Sequence, residues 1–92
     1  MKKVMLLVGA GQIGMAIARR VGTGMKIIVG DKKTENAENI AAILNNAGFD
    51  AFPVKTDLSD RASIQSMIAK GQEYGEITML VNAAGVSPSQ AP

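Results

Sequence analysis

Two kinds of hydrophobic run alternate along this chain of 92 residues. Val4 to Val8 is unbroken and apolar, as expected of a strand covered on both faces. From Gln12 to Val21 the period lengthens. Ile13, Ile17 and Val21 recur at helical spacing, and Gly22 and Gly24 stand where a helix stops and the chain turns. Lys26 to Val29 is a second strand, rich in β-branched residues. Thr34 is then the expected cap of a helix running to about Ala47, with an apolar stripe of Ala37, Ile40, Ala41, Leu44 and Ala47. Gly48 occupies the place of a helix C-terminal glycine.

Ala51 to Val54 is a short third strand. Its Pro53 has no N–H for a sheet ladder, which asks for an edge position. Ser59 or Asp60 caps a third helix whose stripe is Ile64, Met67, Ile68 and Gly71, and Gly75 ends it. Ile77 to Val81 is the fourth strand. The order βαβαβαβ predicts an α/β fold with a parallel sheet and right-handed crossovers. A Rossmann-like strand order of 3-2-1-4 puts the third strand at the edge that Pro53 requires. The first two helices then cover one face and the third helix the other. Residues 1–85 form the one expected folded unit, and 86–92 read as a loop-like tail.

Composition narrows the chemistry. There is no Cys and no His, which removes disulfides, thiolate metal sites and the commonest general base. Aromatic residues make up only 3% of the chain, too few for the stacking platforms of single-strand nucleic-acid binders. The net charge of +2 is spread over separated pairs, Lys2–Lys3, Arg19–Arg20 and Lys32–Lys33. A nucleic-acid footprint gathers such charge on one face, so no nucleic-acid partner is expected. The apolar run after Lys3 breaks at Gly9, short of a secretory core, and nothing approaches a membrane span. A cytoplasmic protein with no membrane partner is expected.

Four segments carry candidate chemistry. Gly9-Ala10-Gly11-Gln12-Ile13-Gly14 is a GxGxxG between a strand and a helix. Gly9 permits the tight turn, Gly11 lets backbone approach a pyrophosphate, and Gly14 lets helix and strand pack closely. The helix N-terminus offers N–H groups to phosphate. Asp31 stands about twenty residues on, where a carboxylate accepts from an adenosine ribose and repels a 2′-phosphate. That favours NAD over NADP. Lys32 and Lys33 either pair with a 2′-phosphate or are simply solvated, as Asp31 itself is on the plainer reading. Asp57-Leu58 follows the third strand. There the carboxylate either accepts from an adenine amine, with Leu58 on the ring, or helps cap the third helix. Asn82-Ala83-Ala84-Gly85 follows the fourth strand, either lining a cofactor with small residues or making an ordinary turn.

Together these segments resemble the N-terminal half of the short-chain dehydrogenase/reductase family, over nearly the whole chain. Leu80-Val81-Asn82-Ala83-Ala84-Gly85 is similar to the family's Asn-Asn-Ala-Gly motif, with Ala83 in place of the second Asn. The glycine loop is one residue shorter than the family's Gly-x-x-x-Gly-x-Gly. The resemblance implies a fold truncated relative to the full family and a nicotinamide dinucleotide cofactor. In a complete relative it implies hydride exchange with a carbonyl or alcohol. The family's catalytic Ser and Tyr-x-x-x-Lys have no counterpart here. The sole tyrosine, Tyr74, precedes Thr78 rather than a Lys at that spacing, and packing at a helix end is its expected role. No catalytic residue is assigned. Two alternatives stand beside this reading: a non-catalytic nucleotide-binding module and an S-adenosylmethionine-dependent methyltransferase-like domain. A receiver-type domain is set aside, because its acidic cluster after the first strand is replaced by glycines. The uncovered fourth strand implies self-association or a missing C-terminal half.

Overall fold

A computed structural model describes residues 3–9, 12–21 and 23–82, with side chains for all of these except 12–15 and 21. The elements are β1 (Lys3–Val8), α1 (Gln12–Val21), β2 (Lys26–Asp31), α2 (Thr34–Asn46), β3 (Asp50–Lys55), α3 (Arg61–Tyr74) and β4 (Glu76–Asn82). The strands are all parallel, in the order β3-β2-β1-β4. This is the predicted Rossmann-like order, and Pro53 lies on the edge strand it asked for.

Strand parity divides the interior into two cores. Met5, Leu7, Ile27, Val29 and Ala51 face Ala18 of α1 and Ala37, Ala41 and Leu44 of α2. Val4, Leu6, Val8 and Ile28 face Met67 of α3. Two helices thus cover one face and one helix the other, as predicted. β1 is buried from Val4 to Val8, whereas edge strand β4 alternates between exposed and half-buried along its whole length. A bulge opposite Val4 and Met5 shifts the register of β4.

The strands run one or two residues beyond their predicted limits, because polar residues at the sheet rims still join the backbone ladder. Helix starts also differ from expectation. Thr34 is already helical. Lys33 occupies the cap position and makes no side-chain cap bond, because its ammonium carries no acceptor; its own N–H donates to Asp31 Oδ1 at 2.9 Å. Asp60, not Ser59, caps α3, accepting from the Ala62 N–H at 3.0 Å. At the other end of α2, Gly48 takes φ +95°. Its N–H and that of Phe49 reach back to the Asn45 and Leu44 carbonyls at 3.1 and 3.0 Å, a Schellman closure. Ala47 is the C-terminal cap of α2 and is exposed, outside the stripe assigned to it.

Edge strand β3 is fastened from two sides. The Asn45 side chain donates to the Ala51 carbonyl at 3.0 Å and accepts from the Ala51 N–H at 2.7 Å, standing in for a neighbouring strand. At the N-terminal end of the sheet, Phe52 stacks on Tyr74 with centroids 4.3 Å apart. Lys26 lies over both rings and pairs with Asp50 at 2.6 Å. Tyr74 is therefore a packing residue, as expected. Among the described residues no helix is long and apolar enough to cross a membrane.

The double bond from Asn45 gives a direct comparison. Asn45→Ala should lower the unfolding free energy by about 1–2 kcal/mol, because two edge groups lose their partners. Asn46→Ala, one exposed position on, should change it by less than about 0.5 kcal/mol. Urea denaturation of the two variants measures the difference, and equal midpoints would remove the edge-fastening role.

Candidate functional site

Parallel pairing brings the C-terminal ends of all four strands to one rim. There Val8 lies opposite Gly30 on one side and Asn82 on the other, and Asp31 lies opposite Lys55. Segments distant in the chain thus meet at one place. Ligands of open α/β sheets bind outside this rim, where the connections diverge to opposite faces.

Gly9 leaves β1 with φ +67°, a left-handed conformation that glycine adopts without strain. Its N–H donates to the Gly30 carbonyl at 2.9 Å, which ties the glycine turn to the end of β2. α1 begins at Gln12, so Gln12, Ile13 and Gly14 form its first turn, with the backbone N–H groups of a helix start. The side chains of these three residues, and all of Gly11, Ala83, Ala84 and Gly85 and the 86–92 tail, lie outside the described residues.

Asp31 is half-buried at the end of β2, with Lys32 and Lys33 exposed beside it. The Lys33 N–H on Oδ1 holds its carboxylate in place, and its carbonyl accepts the Thr56 N–H at 2.8 Å. Asp57 begins the turn after β3. Oδ1 of its carboxylate accepts from the Ser59 hydroxyl at 2.7 Å and the Ser59 N–H at 2.9 Å. These two bonds, with the charges of Lys32 and Lys55 adding to them, hold the Asp57 carboxyl below its ordinary range. Its own N–H donates to Ser63 Oγ at 2.8 Å. Asp57 therefore shapes the approach to α3, while Asp60 occupies the cap position itself. Leu58 is 42% exposed next to it. Asn82 is exposed at the end of β4.

The rim thus offers a helix start, two oriented carboxylates and an exposed leucine. These suit a ligand with phosphate, hydroxyl groups and a flat ring. Among the described residues no three acidic side chains gather to hold a metal ion. Sequence reasoning passed over Gly30, Thr56 and Ser63, which hold the rim together. The signal for Gly30 was present, since a lone glycine at the end of a strand marks a close approach.

Residues 3–92 match the short chain dehydrogenase family. The chain is 37% identical over 86 residues to 7alpha-hydroxysteroid dehydrogenase of Bacteroides fragilis, covering 90% of this chain and 33% of that protein. Among solved structures, it is similar to 2-keto-3-deoxy-D-gluconate dehydrogenase of Streptococcus agalactiae, with a TM-score of 0.80 and 32% identity. That likeness covers 97% of this chain and 35% of the other. A short chain dehydrogenase/reductase of Burkholderia phymatum, in complex with NAD, is similar with a TM-score of 0.76 and 29% identity, over 86% of this chain and 29% of the other. The chain thus spans about a third of the length of these relatives.

The Asp57 turn generates a titration test. Ser59→Ala removes the hydroxyl bond that contributes most to the lowered value, so the Asp57 midpoint should rise toward that of an ordinary aspartate. Because the folded value is depressed, the associated stability is fully present above the unfolded-state value. It is lost as pH falls through the folded value. Carbon-13 NMR of the Asp57 carboxyl reads the midpoint, and an unchanged value in the variant would rule out the Ser59 hydroxyl as the main cause.

Proposed function

The chain belongs to the short-chain dehydrogenase/reductase family, and from that premise we propose that its strand rim holds the adenosine and pyrophosphate portion of a nicotinamide dinucleotide. The observation that carries this reading is the hydrogen bond from Gly9 to Gly30, which seats the glycine turn beside Asp31. The residues present fit the group. Gly9 and the start of α1 from Gln12 through Ile13 and Gly14 face the pyrophosphate, with Gly11 completing the loop. Asp31 accepts from the ribose hydroxyls. Asp57 accepts from the adenine amine while Leu58 packs on the ring, and Asn82 ends β4 at the same rim, with the small residues Ala83, Ala84 and Gly85 that follow it in sequence assigned to the cofactor as well.

When bound, the cofactor supplies hydride exchange with a carbonyl or alcohol, which is the chemistry proposed for the whole protein. This chain's own residues bind and orient the dinucleotide, and none of them is a catalytic acid or base. NAD is favoured over NADP, since the Asp31 carboxylate repels a 2′-phosphate; Lys32 and Lys33 are then solvated. The family match gives the methyltransferase alternative no support. A cytoplasmic location goes with this reading.

We further propose that β4 is a pairing edge. Among the described residues it has β1 on one side and no strand on the other, and Leu80 is 65% exposed on it. Open edges of this kind pair with other strands. In the isolated chain of 92 residues the partner is a second copy.

Isothermal titration calorimetry of this chain with NAD, NADP and S-adenosylmethionine tests the cofactor reading. NAD should bind tightest, and Asp31→Ala should weaken NAD by about tenfold, the scale of one charge-assisted hydrogen bond, while NADP loses less. No dinucleotide binding by a folded chain, or tighter S-adenosylmethionine binding, would overturn it. The chain alone should show no NAD-dependent oxidation of alcohols. Sedimentation should show association rising with concentration and reduced in Leu80→Lys; a monomer throughout contradicts the pairing edge.

A further inference from the structure

Thr56 is the one buried polar side chain among the described residues, at 2% exposure. It sits between Lys55, the last residue of β3, and Asp57, and three contacts hold it. Its N–H donates to the Asp31 carbonyl at 2.8 Å. Its hydroxyl donates to the Val54 carbonyl at 3.3 Å. Its side chain lies against Gly30, where an added Cβ would stand 2.7 Å from Thr56 Oγ1 and 2.8 Å from Met67 Cε. The two obstructions are unequal. Met67 is long and its tip can swing, whereas Thr56 is short, β-branched and bonded at both hydroxyl and N–H. A methyl group at residue 30 would therefore act mainly on Thr56, and through it on the next residue, Asp57.

Gly30 also holds the other end of this chain of contacts, because its carbonyl accepts the Gly9 N–H. The turn after β1, the end of β2 and the turn after β3 are thus joined through two adjacent residues, Gly30 and Asp31. We propose that Gly30 is a positioning residue for base recognition: its missing side chain lets Thr56 seat against β2, and this sets where Asp57 and Leu58 stand beside the adenine. The proposal rests on the reading of the rim as an adenosine site. It assigns to a strand glycine the placement of a carboxylate it does not touch.

The readout is discrimination between bases, which a general loss of stability does not alter. Asp57 accepts from the exocyclic amine of adenine, which hypoxanthine lacks. Binding of NAD and of nicotinamide hypoxanthine dinucleotide is measured calorimetrically on the chain of 92 residues. Wild type should prefer NAD by about tenfold, the effect of one hydrogen bond to a charged group. Gly30→Ala should weaken NAD by about that factor and the hypoxanthine dinucleotide by less than about threefold, so that the preference collapses. Gly30→Ala/Thr56→Ala removes the obstructing hydroxyl and should restore the preference to within about threefold of wild type.

Should Gly30→Ala fail to fold, the double variant must still fold and discriminate. A Gly30→Ala protein that keeps the wild-type preference, or a double variant that does not regain it, overturns the positioning role. A wild-type chain that does not distinguish the two dinucleotides overturns the adenine reading of Asp57, and this proposal with it. That outcome is visible before any variant is made.

Discussion

Val4, Met5, Leu6, Leu7 and Val8 send side chains alternately into two separate cores, and all five are buried. A strand under that demand cannot lie at an edge, and it cannot carry a polar residue until it reaches the rim. It must be flanked by strands on both sides and by helices on both faces. β2 and β4 supply the flanks, α1 and α2 one cover and α3 the other. Once the central strand is fixed in this way, right-handed crossovers carry every connection from one rim to the other. The polar and glycine residues that end each strand then have only one place to meet.

What meets there is organised by main-chain bonds more than by side-chain contacts. The Gly30 and Asp31 carbonyls take N–H groups from Gly9 and Thr56, so three strand ends form one continuous rim. The two carboxylates are each held by donors two residues ahead, Asp31 by the Lys33 N–H and Asp57 by the Ser59 N–H and hydroxyl. Local anchoring of this kind orients an acceptor without burying its charge, which would carry a desolvation cost. It also keeps the anchoring bonds off the neighbouring lysines, whose charges act on Asp57 only at longer range.

Much of this was legible in the order of residues. The unbroken run at Val4–Val8 asked for a central strand and the proline at residue 53 for an edge strand, and the Rossmann-like order expected from the alternation of periods meets both. Tyr74 was read as packing at a helix end, and it stacks on Phe52 there. The helix starts were less legible. Thr34 and Ser59 are good caps by type, but Asp31 takes the Lys33 N–H just ahead of α2, whose first helical residue is Thr34, and Asp57 engages Ser59 before it can cap α3. Such contests between nearby polar groups are settled by backbone geometry that residue type does not encode. Thr56 and Asn45 were invisible for a related reason. Their importance comes from what lies across the sheet or beyond the turn, and neither breaks a pattern where it stands.

The two edges of the sheet are unlike in how they open. β3 is fastened along its length by the Asn45 side chain, by the Phe52–Tyr74 stack at one end and by Thr56 at the other. β4 pairs with β1 and has no buried residue. Opening the β3 edge breaks contacts to α2 and α3 as well as to β2, whereas β4 is held mainly by β1. In the language of local unfolding, the energy of opening an edge follows from how many other elements must part with it. Asp31 and Asp57 thus stand on the side of the sheet whose edge is tied to more of the fold.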